Sequence, residues 1–224
     1  MIHVHTKITR PAREQVEKLA LYGSATIHEA QGRRGALHSS IKPVDYTMSL
    51  CGPAFTVVCH SRDNIMLQVA MSYAQPGDVL VVTVGDCQEA GIFGDVLCNA
   101  AMAKKLGGLV TDAGVRDTMK LRKLGFPVFS RSICIRGTVK ETLGPINVPI
   151  IIGGELVNPG DIVRGDADGV VVVRHEEADD VAAKSSAREA DEVKLIARYH
   201  AGENTIAVCG LAPVLKAKGL VVEG

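Results

Sequence analysis

Asp95 and the pair Arg116-Asp117, with twenty residues between them, are the side chains here best suited to chemistry. Asp95 follows Gly94 and opens a run of helical spacing, DVLCNAAMAKKLG. A short apolar strand, GLVTD over 108–112, comes next, then Ala113-Gly114-Val115-Arg116-Asp117 and a second helical pattern. The unit reads helix, strand, charged loop, helix. The C-terminal end of a strand beside helix N-termini is where open α/β sheets build sites. Two carboxylates there suit a divalent cation held by oxygen ligands, and the Arg beside them suits an anion. The competing reading makes Asp95 and Asp117 helix N-caps and Arg116 a surface ion-pair partner, the ordinary roles of such residues.

The flanking elements must position these groups. Pro11 and apolar positions at Val16, Leu19 and Ala20 predict a helix over 10–22. Ser24 or Thr26 caps a short helix ended by Gly32, and a polar loop runs to Pro43. AFTVVCH (54–60) reads as a buried strand, 64–74 as a helix, and Pro76-Gly77-Asp78 as a turn into an apolar strand over 79–84. Pro127-Val128-Phe129 is a short strand, and Ile133 to Ile135 extends the sheet. From about Thr138 the texture is β-rich, with turns at Gly153-Gly154, Pro159-Gly160 and Asp168-Gly169. Residues 176–201 form one long, charged helix. The alternation predicts a layered α/β fold in one domain over 1–224. Its central sheet is parallel or mixed, with a second β layer from the C-terminal half. The last helix is too polar for a core and presents a solvated face or a subunit interface.

Charge is balanced, 25 Lys plus Arg against 25 Asp plus Glu, with no basic run, so no nucleic-acid partner is expected. Four Phe, four Tyr and no Trp make base-stacking platforms poor candidates. There is no run of 18 apolar residues and no apolar signal-like segment near the start, so no membrane span and a cytoplasmic location are expected. The six Cys, at 51, 59, 87, 98, 134 and 209, form no CxxC pair and read mostly as small core filler. The turn Val84-Gly85-Asp86 supplies no GxGxxG, which argues against a nucleotide or methyl-donor site.

Asp95 and Arg116-Asp117, the latter set inside GGLVTDAGVRD, resemble the RraA-like family. ATIHEAQGRRG, RDNIMLQVA, FPVFSR, GTVKETLGPINVPI, PGDIVRGDADGVVVV and AREADE extend the likeness over nearly the whole chain. The family holds class II pyruvate aldolases that cleave 4-hydroxy-4-methyl-2-oxoglutarate or 4-carboxy-4-hydroxy-2-oxoadipate in aromatic catabolism. It also holds regulators that inhibit ribonuclease E without catalysis. The regulator branch has Gly where this chain has Asp95, and an acidic residue where it has Lys120. Both departures favour the aldolase branch. The resemblance implies an α/β/β fold of the swivelling β/β/α type, a homotrimer or homohexamer, and Mg²⁺ or Mn²⁺ as cofactor.

Retro-aldol cleavage leaves charge on a pyruvate enolate, which a divalent ion and an adjacent Arg stabilise. A base must take the 4-hydroxyl proton, and a metal-linked water held by carboxylates can do so. On this pattern Asp117 is the direct metal ligand, Asp95 holds metal-bound water, and Arg116 stabilises the enolate. The N–H groups of Val96 and Leu97, at the start of a helix, bind the substrate carboxylate. Glu192 in AREADE matches a carboxylate that the neighbouring subunit contributes, and Glu189 one turn earlier is the alternative. Lys140, Glu141, Arg131 and Arg136 stand open as distal-carboxylate binders or solvated loop charges. His28 and Glu29 carry no assigned catalytic role. No lysine stands out as a Schiff-base nucleophile, since Lys104, Lys105, Lys120 and Lys123 sit on polar helical faces.

Overall fold

Residues 2–85 and 89–222 are described by a computed structural model. Asp86 and Cys87, named above, lie outside the described residues.

Apolar runs become the centre of the sheet. Val79–Thr83 (β3) and Gly108–Val115 (β5) are buried at every position, as strands covered on both faces should be. Leu50–Val58 (β2), β3, β5 and Val128–Ile133 (β6) pair in parallel in the order β2-β3-β5-β6. Lys42–Pro43 (β1) closes the β6 edge antiparallel, and Gly91–Phe93 (β4) adds to the end of β5. β2 serves two neighbours. Ala54 to Val58 pair with β3, while Leu50 to Pro53 pair antiparallel with Ile162–Asp166 (β9). Gly169–Val173 (β10) follows β9, and Ile150–Ile152 (β7) and Glu155–Val157 (β8) form a separate hairpin. The expected C-terminal β layer is thus hinged on β2. It curls round until Lys42 Nζ donates to the Asp168 carbonyl and Gly165 stands against the Phe129 ring, giving a nearly closed, barrel-like sheet.

Helices cover the outside: Arg13–Ala20 (α1), Ser24–Ala30 (α2), Ile65–Tyr73 (α3), Asp95–Ala103 (α4) and Thr118–Leu124 (α5). α1 starts later than its periodicity predicts. Arg10 is drawn away to Asp78, which accepts from its Nε at 2.8 Å and from its second terminal nitrogen at 2.7 Å. The long C-terminal helix is a 3₁₀ turn, His175–Glu177, leading into Ala178–His200 (α6). Its first turns are less independent of the core than their charge suggests. Ala178, Val181, Ala182 and Ser185 are buried, and the first three pack with Leu19, Ile27, Val171 and Val173. Beyond Ser185 no α6 residue is buried. Two short helices, Thr205–Val208 (α7) and Ala212–Ala217 (α8), follow.

Of the described cysteines, Cys59 and Cys98 are core residues, and burial pushes their thiols up to about 12 and about 11. Cys51 and Cys134 are half-buried and Cys209 is exposed. Among the described residues no helix is long and apolar enough to cross a membrane.

Candidate active site

The strand before Arg116 is longer than its sequence suggests. Asp112 does not end β5. Its buried carboxylate accepts from Thr83 Oγ1 at 2.6 Å and from the Val84 N–H at 2.8 Å, tying β5 to the end of β3. Burial pushes this carboxyl up, against those two donors. A bulge between Thr111 and Gly114 then carries β5 on to Val115. Gly91 and Gly114 permit the extension: a Cβ on Gly114 would lie 2.8 Å from the Ala90 carbonyl oxygen and 2.9 Å from Cys134 Cβ. Arg116 leaves the strand with its N–H bonded to the Phe93 carbonyl at 2.9 Å.

Asp117 follows at φ 57°, ψ 33°, a left-handed conformation that Asp tolerates better than most residues. It occupies the N-cap position of α5 but makes no side-chain cap. Its Oδ2 accepts instead from the Asp95 N–H at 3.3 Å, with Arg116 Nε 3.7 Å away. Asp95 is not a cap either, because Gly94 holds the N-cap position of α4 and Asp95 is the first helical residue. The capping reading therefore fails for Asp95, while Asp117 holds the N-cap position of α5 but turns its carboxylate to the first N–H of α4. The three groups meet at Gly94, where a Cβ would overlap Asp117 Oδ2 and stand 3.1 Å from Arg116 Cγ.

These residues form one wall of a cleft of about 310 Å³. Val96 and Leu97 at the start of α4 line it too. The α4 ladder begins with the Cys98 N–H on the Gly94 carbonyl at 3.0 Å, so the helix itself does not use the two preceding N–H groups. Asn64 and Gln68, near and on α3, and Gly137, Thr138 and Lys140 also line the cleft. Lys120, on α5, donates to Asp95 Oδ2 at 2.6 Å. That hydrogen bond holds the Asp95 carboxyl below the usual range and the Lys120 ammonium above its own. A lysine so stabilised in its charged form is the opposite of a Schiff-base nucleophile.

Sequence reasoning missed Asn64 and Gln68. Asn64 Nδ2 donates to the Ile92 carbonyl at 2.9 Å, and Gln68 Nε2 donates to Asn64 Oδ1 at 3.1 Å, so α3 is keyed to β4. The available signal was Asn64 at the start of a predicted helix. Of the four open loop charges, only Lys140 lines this cleft. Arg136 pairs with Glu89 at 3.1 Å, Arg131 lines a different cleft with Lys42 and Arg122, and Glu141 offers its backbone N–H to Asp63. Glu192 does not line the cleft of its own chain. It pairs with Arg188 at 3.0 Å on the exposed part of α6, and Glu189 is exposed nearby.

The RraA-like family, described as Aldolase/RraA, matches residues 24–172. The chain belongs to that family. It is 40% identical over 157 residues, 70% of this chain and 74% of the other, to a protein of Halalkalibacterium halodurans provisionally named 4-hydroxy-4-methyl-2-oxoglutarate aldolase. RraAS2 of Streptomyces coelicolor, described as an unusual member of the RNase ES inhibitor RraA family, superposes with a TM-score of 0.73 at 32% identity. That match covers 86% of this chain and 99% of RraAS2. An uncharacterised protein of Pseudomonas syringae shares the fold with a TM-score of 0.76 at 24% identity, covering 90% and 99% of the two chains.

Proposed function

We propose that this RraA-like protein is a divalent-metal-dependent pyruvate aldolase. Its substrates are 4-carboxy-4-hydroxy-2-oxoadipate, 4-hydroxy-4-methyl-2-oxoglutarate or both. The products are pyruvate and either oxaloacetate or a second pyruvate. The observation that carries this reading is the convergence of Asp95, Arg116 and Asp117 on one cleft wall at the start of α4. The name of the Halalkalibacterium relative supports it.

The donor set fits a hard cation: the described lining residues offer carboxylates and no imidazole or thiol. Asp117 would hold Mg²⁺ or Mn²⁺ directly, and Asp95 would hold its water shell. The bound ion supplies Lewis-acid polarisation of the substrate's 2-keto oxygen. The chain supplies the rest. The N–H groups of Val96 and Leu97 grip the C1 carboxylate at a helix N-terminus. Arg116 donates to the oxygen on which enolate charge develops. Asp95, kept ionised by Lys120, draws the 4-hydroxyl proton away through water. The C3–C4 bond then breaks, its electron pair entering the pyruvate enolate while C4 becomes a ketone. Protonation at C3 releases pyruvate. Oxaloacetate decarboxylation yields the same enolate and is expected as a side activity. Glu192 of a neighbouring subunit completes the site in a homotrimer or homohexamer.

Coupled pyruvate detection with both aldol substrates and oxaloacetate, with and without chelator, tests the reading. Chelation should abolish turnover and Mg²⁺ or Mn²⁺ restore it. Asp117→Ala should lose metal binding and activity together. Arg116→Ala should keep metal and lose about 10²–10³-fold in turnover, with Arg116→Lys only a partial rescue. Full activity in chelator would defeat the metal mechanism. The RraAS2 likeness favours a second reading, a protein-binding regulator of a ribonuclease, and that reading predicts no pyruvate under any condition.

A further inference from the structure

The chain contains two Pro-Gly-Asp turns, Pro76-Gly77-Asp78 and Pro159-Gly160-Asp161, and their aspartates are almost fully buried, with side chains 0% and 1% exposed. Each folds its Oδ2 back onto a turn N–H, Gln75 for Asp78 at 2.8 Å and Asn158 for Asp161 at 2.9 Å. Each also meets an arginine. They differ at the other oxygen. Asp78 Oδ1 takes the second arm of Arg10 at 2.8 Å, so that carboxylate is saturated. Arg174 reaches only Asp161 Oδ2, at 2.9 Å, and Asp161 Oδ1 has no hydrogen-bond partner among the described residues. A buried carboxylate oxygen without a partner is costly.

What faces that oxygen is itself unpartnered. His175 Nδ1 is buried, makes no hydrogen bond, and lies 3.8 Å from Asp161 Oδ1, beyond hydrogen-bonding range. Glu176 Oε1 is 3.4 Å from His175 Nε2, on a side chain exposed enough to rotate. One ligand atom from each of the three residues falls within 4.8 Å of the others. Two ligands about 2.1 Å from one ion at a tetrahedral angle stand about 3.4 Å apart, so the Asp161–His175 gap closes onto an ion with a few tenths of an ångström of movement. His175 also lines an open cleft of about 390 Å³ with His5, Lys7 and Asn147, which gives an ion a way in.

We propose that Asp161, His175 and Glu176 bind a divalent transition-metal ion of the Zn²⁺ class at a second site, apart from the aldolase cleft. Imidazole with two carboxylates is a borderline donor set, unlike the all-oxygen wall at Asp95 and Asp117. Among the described residues only Asp161 of the two carboxylates is paired with a cation, Arg174, while Lys7 lines the cleft. Arg174 fixes the Asp161 carboxylate plane from behind, as outer-shell partners of metal ligands do. The ion would join the start of β9 to the 3₁₀ turn that launches α6, and so set the direction in which that helix leaves the barrel.

The test is Zn²⁺ and Co²⁺ binding to the untagged full chain in an Asp117→Ala background, which removes the cleft's ligand. One Zn²⁺ per chain should bind and raise the Tm. The Co²⁺ complex should show d–d bands without thiolate charge transfer. Adding His175→Gln, a substitution at the surface end of the site, should weaken binding by roughly tenfold or more and remove the thermal shift. Asp161→Asn should do the same if it folds. No Zn²⁺ binding in the Asp117→Ala chain, or binding untouched by His175→Gln, would overturn the proposal and leave a solvated Asp–His pair in its place.

Discussion

Lys120 in the first turn of α5 grips the first residue of α4: its ammonium lies 2.6 Å from Asp95 Oδ2. Asp95 lines the cleft with Arg116 and Asp117, and Lys120 holds it from α5. Lys120 therefore plays two opposed parts. It fixes the Asp95 carboxylate, and it puts a positive charge where a divalent ion is expected. In Lys120→Met the repulsion goes, and Mn²⁺ should bind several-fold tighter. Turnover should fall, because Asp95 loses its anchor. A Mn²⁺ titration by electron paramagnetic resonance, beside kcat, separates the effects. Unchanged or weaker Mn²⁺ binding would show that Lys120 does not compete with the ion.

Gly94 tests whether the three charged groups must keep their present spacing. Its φ of −148° and ψ of −168° suit any residue, so Gly94→Ala carries no backbone strain. Its Cβ, however, would overlap Asp117 Oδ2 and crowd Arg116. The variant should fold with a near-native melting curve, yet lose about 100-fold in pyruvate release, the scale of a small misplacement of reacting groups. Native turnover in Gly94→Ala would mean that the geometry at Asp117 is not used.

The central parallel strands could be read from their apolar runs, because strands buried on both faces need no alternation. The charged cluster could be read because Asp, Arg and Asp lie beside helix starts. The tail of β5 could not. Gly114 in DAGVRD has the composition of a loop, and only the tight approach of Ala90, Ser132 and Cys134 shows why a glycine stands in a strand. β4 is three residues long and exists by pairing with that same tail. Gln68 reaches the cleft through tertiary packing alone, with no pattern that could announce it. The polarity of α6 reads correctly beyond Ser185 and misleads before it, where small residues pack closely on α1 and α2.

Asp63 joins two segments that line the cleft, the start of α3 and the loop at Lys140. Its Oδ1 accepts from the Ile65 N–H at 2.9 Å, and its Oδ2 from Glu141 and Thr142 at 2.8 and 2.7 Å. Burial pushes the carboxyl up, but the three N–H donors outweigh it and hold it below the usual range. A depressed folded value means that this group stabilises the fold above the unfolded value of about 3.9 and loses that contribution as pH falls through the folded one. The loop at Lys140 should therefore loosen below about pH 4. Asp63→Asn should loosen it at neutral pH, since one amide oxygen cannot serve all three donors, at a cost of about 1–3 kcal/mol. Hydrogen exchange at the Glu141 and Thr142 amides reads both effects. Protection unchanged by the substitution would refute them.

The proposed sharing of the site between subunits yields the last expectation. Beyond Ser185 the α6 helix leaves its own barrel, and Val193 and Ile196 stand 67% and 51% exposed on it. Glu192 there pairs with Arg188 of its own chain, so its carboxylate is held on the outer part of the helix. In a closed ring, one patch of each subunit meets a different patch on the next, and a helix can complete its neighbour's cleft. Glu192→Ala and Arg116→Ala chains should each be inactive alone. Mixed rings contain interfaces at which a native Arg116 cleft meets a native Glu192 helix, and these should recover part of the wild-type rate. Co-expression with two affinity tags, followed by tandem purification, isolates such rings. The Glu189→Ala chain, put in place of Glu192→Ala, decides which carboxylate acts. Mixed rings of confirmed composition that stay inactive would show that neither α6 carboxylate acts across the interface, and the site would then have to be complete within one chain.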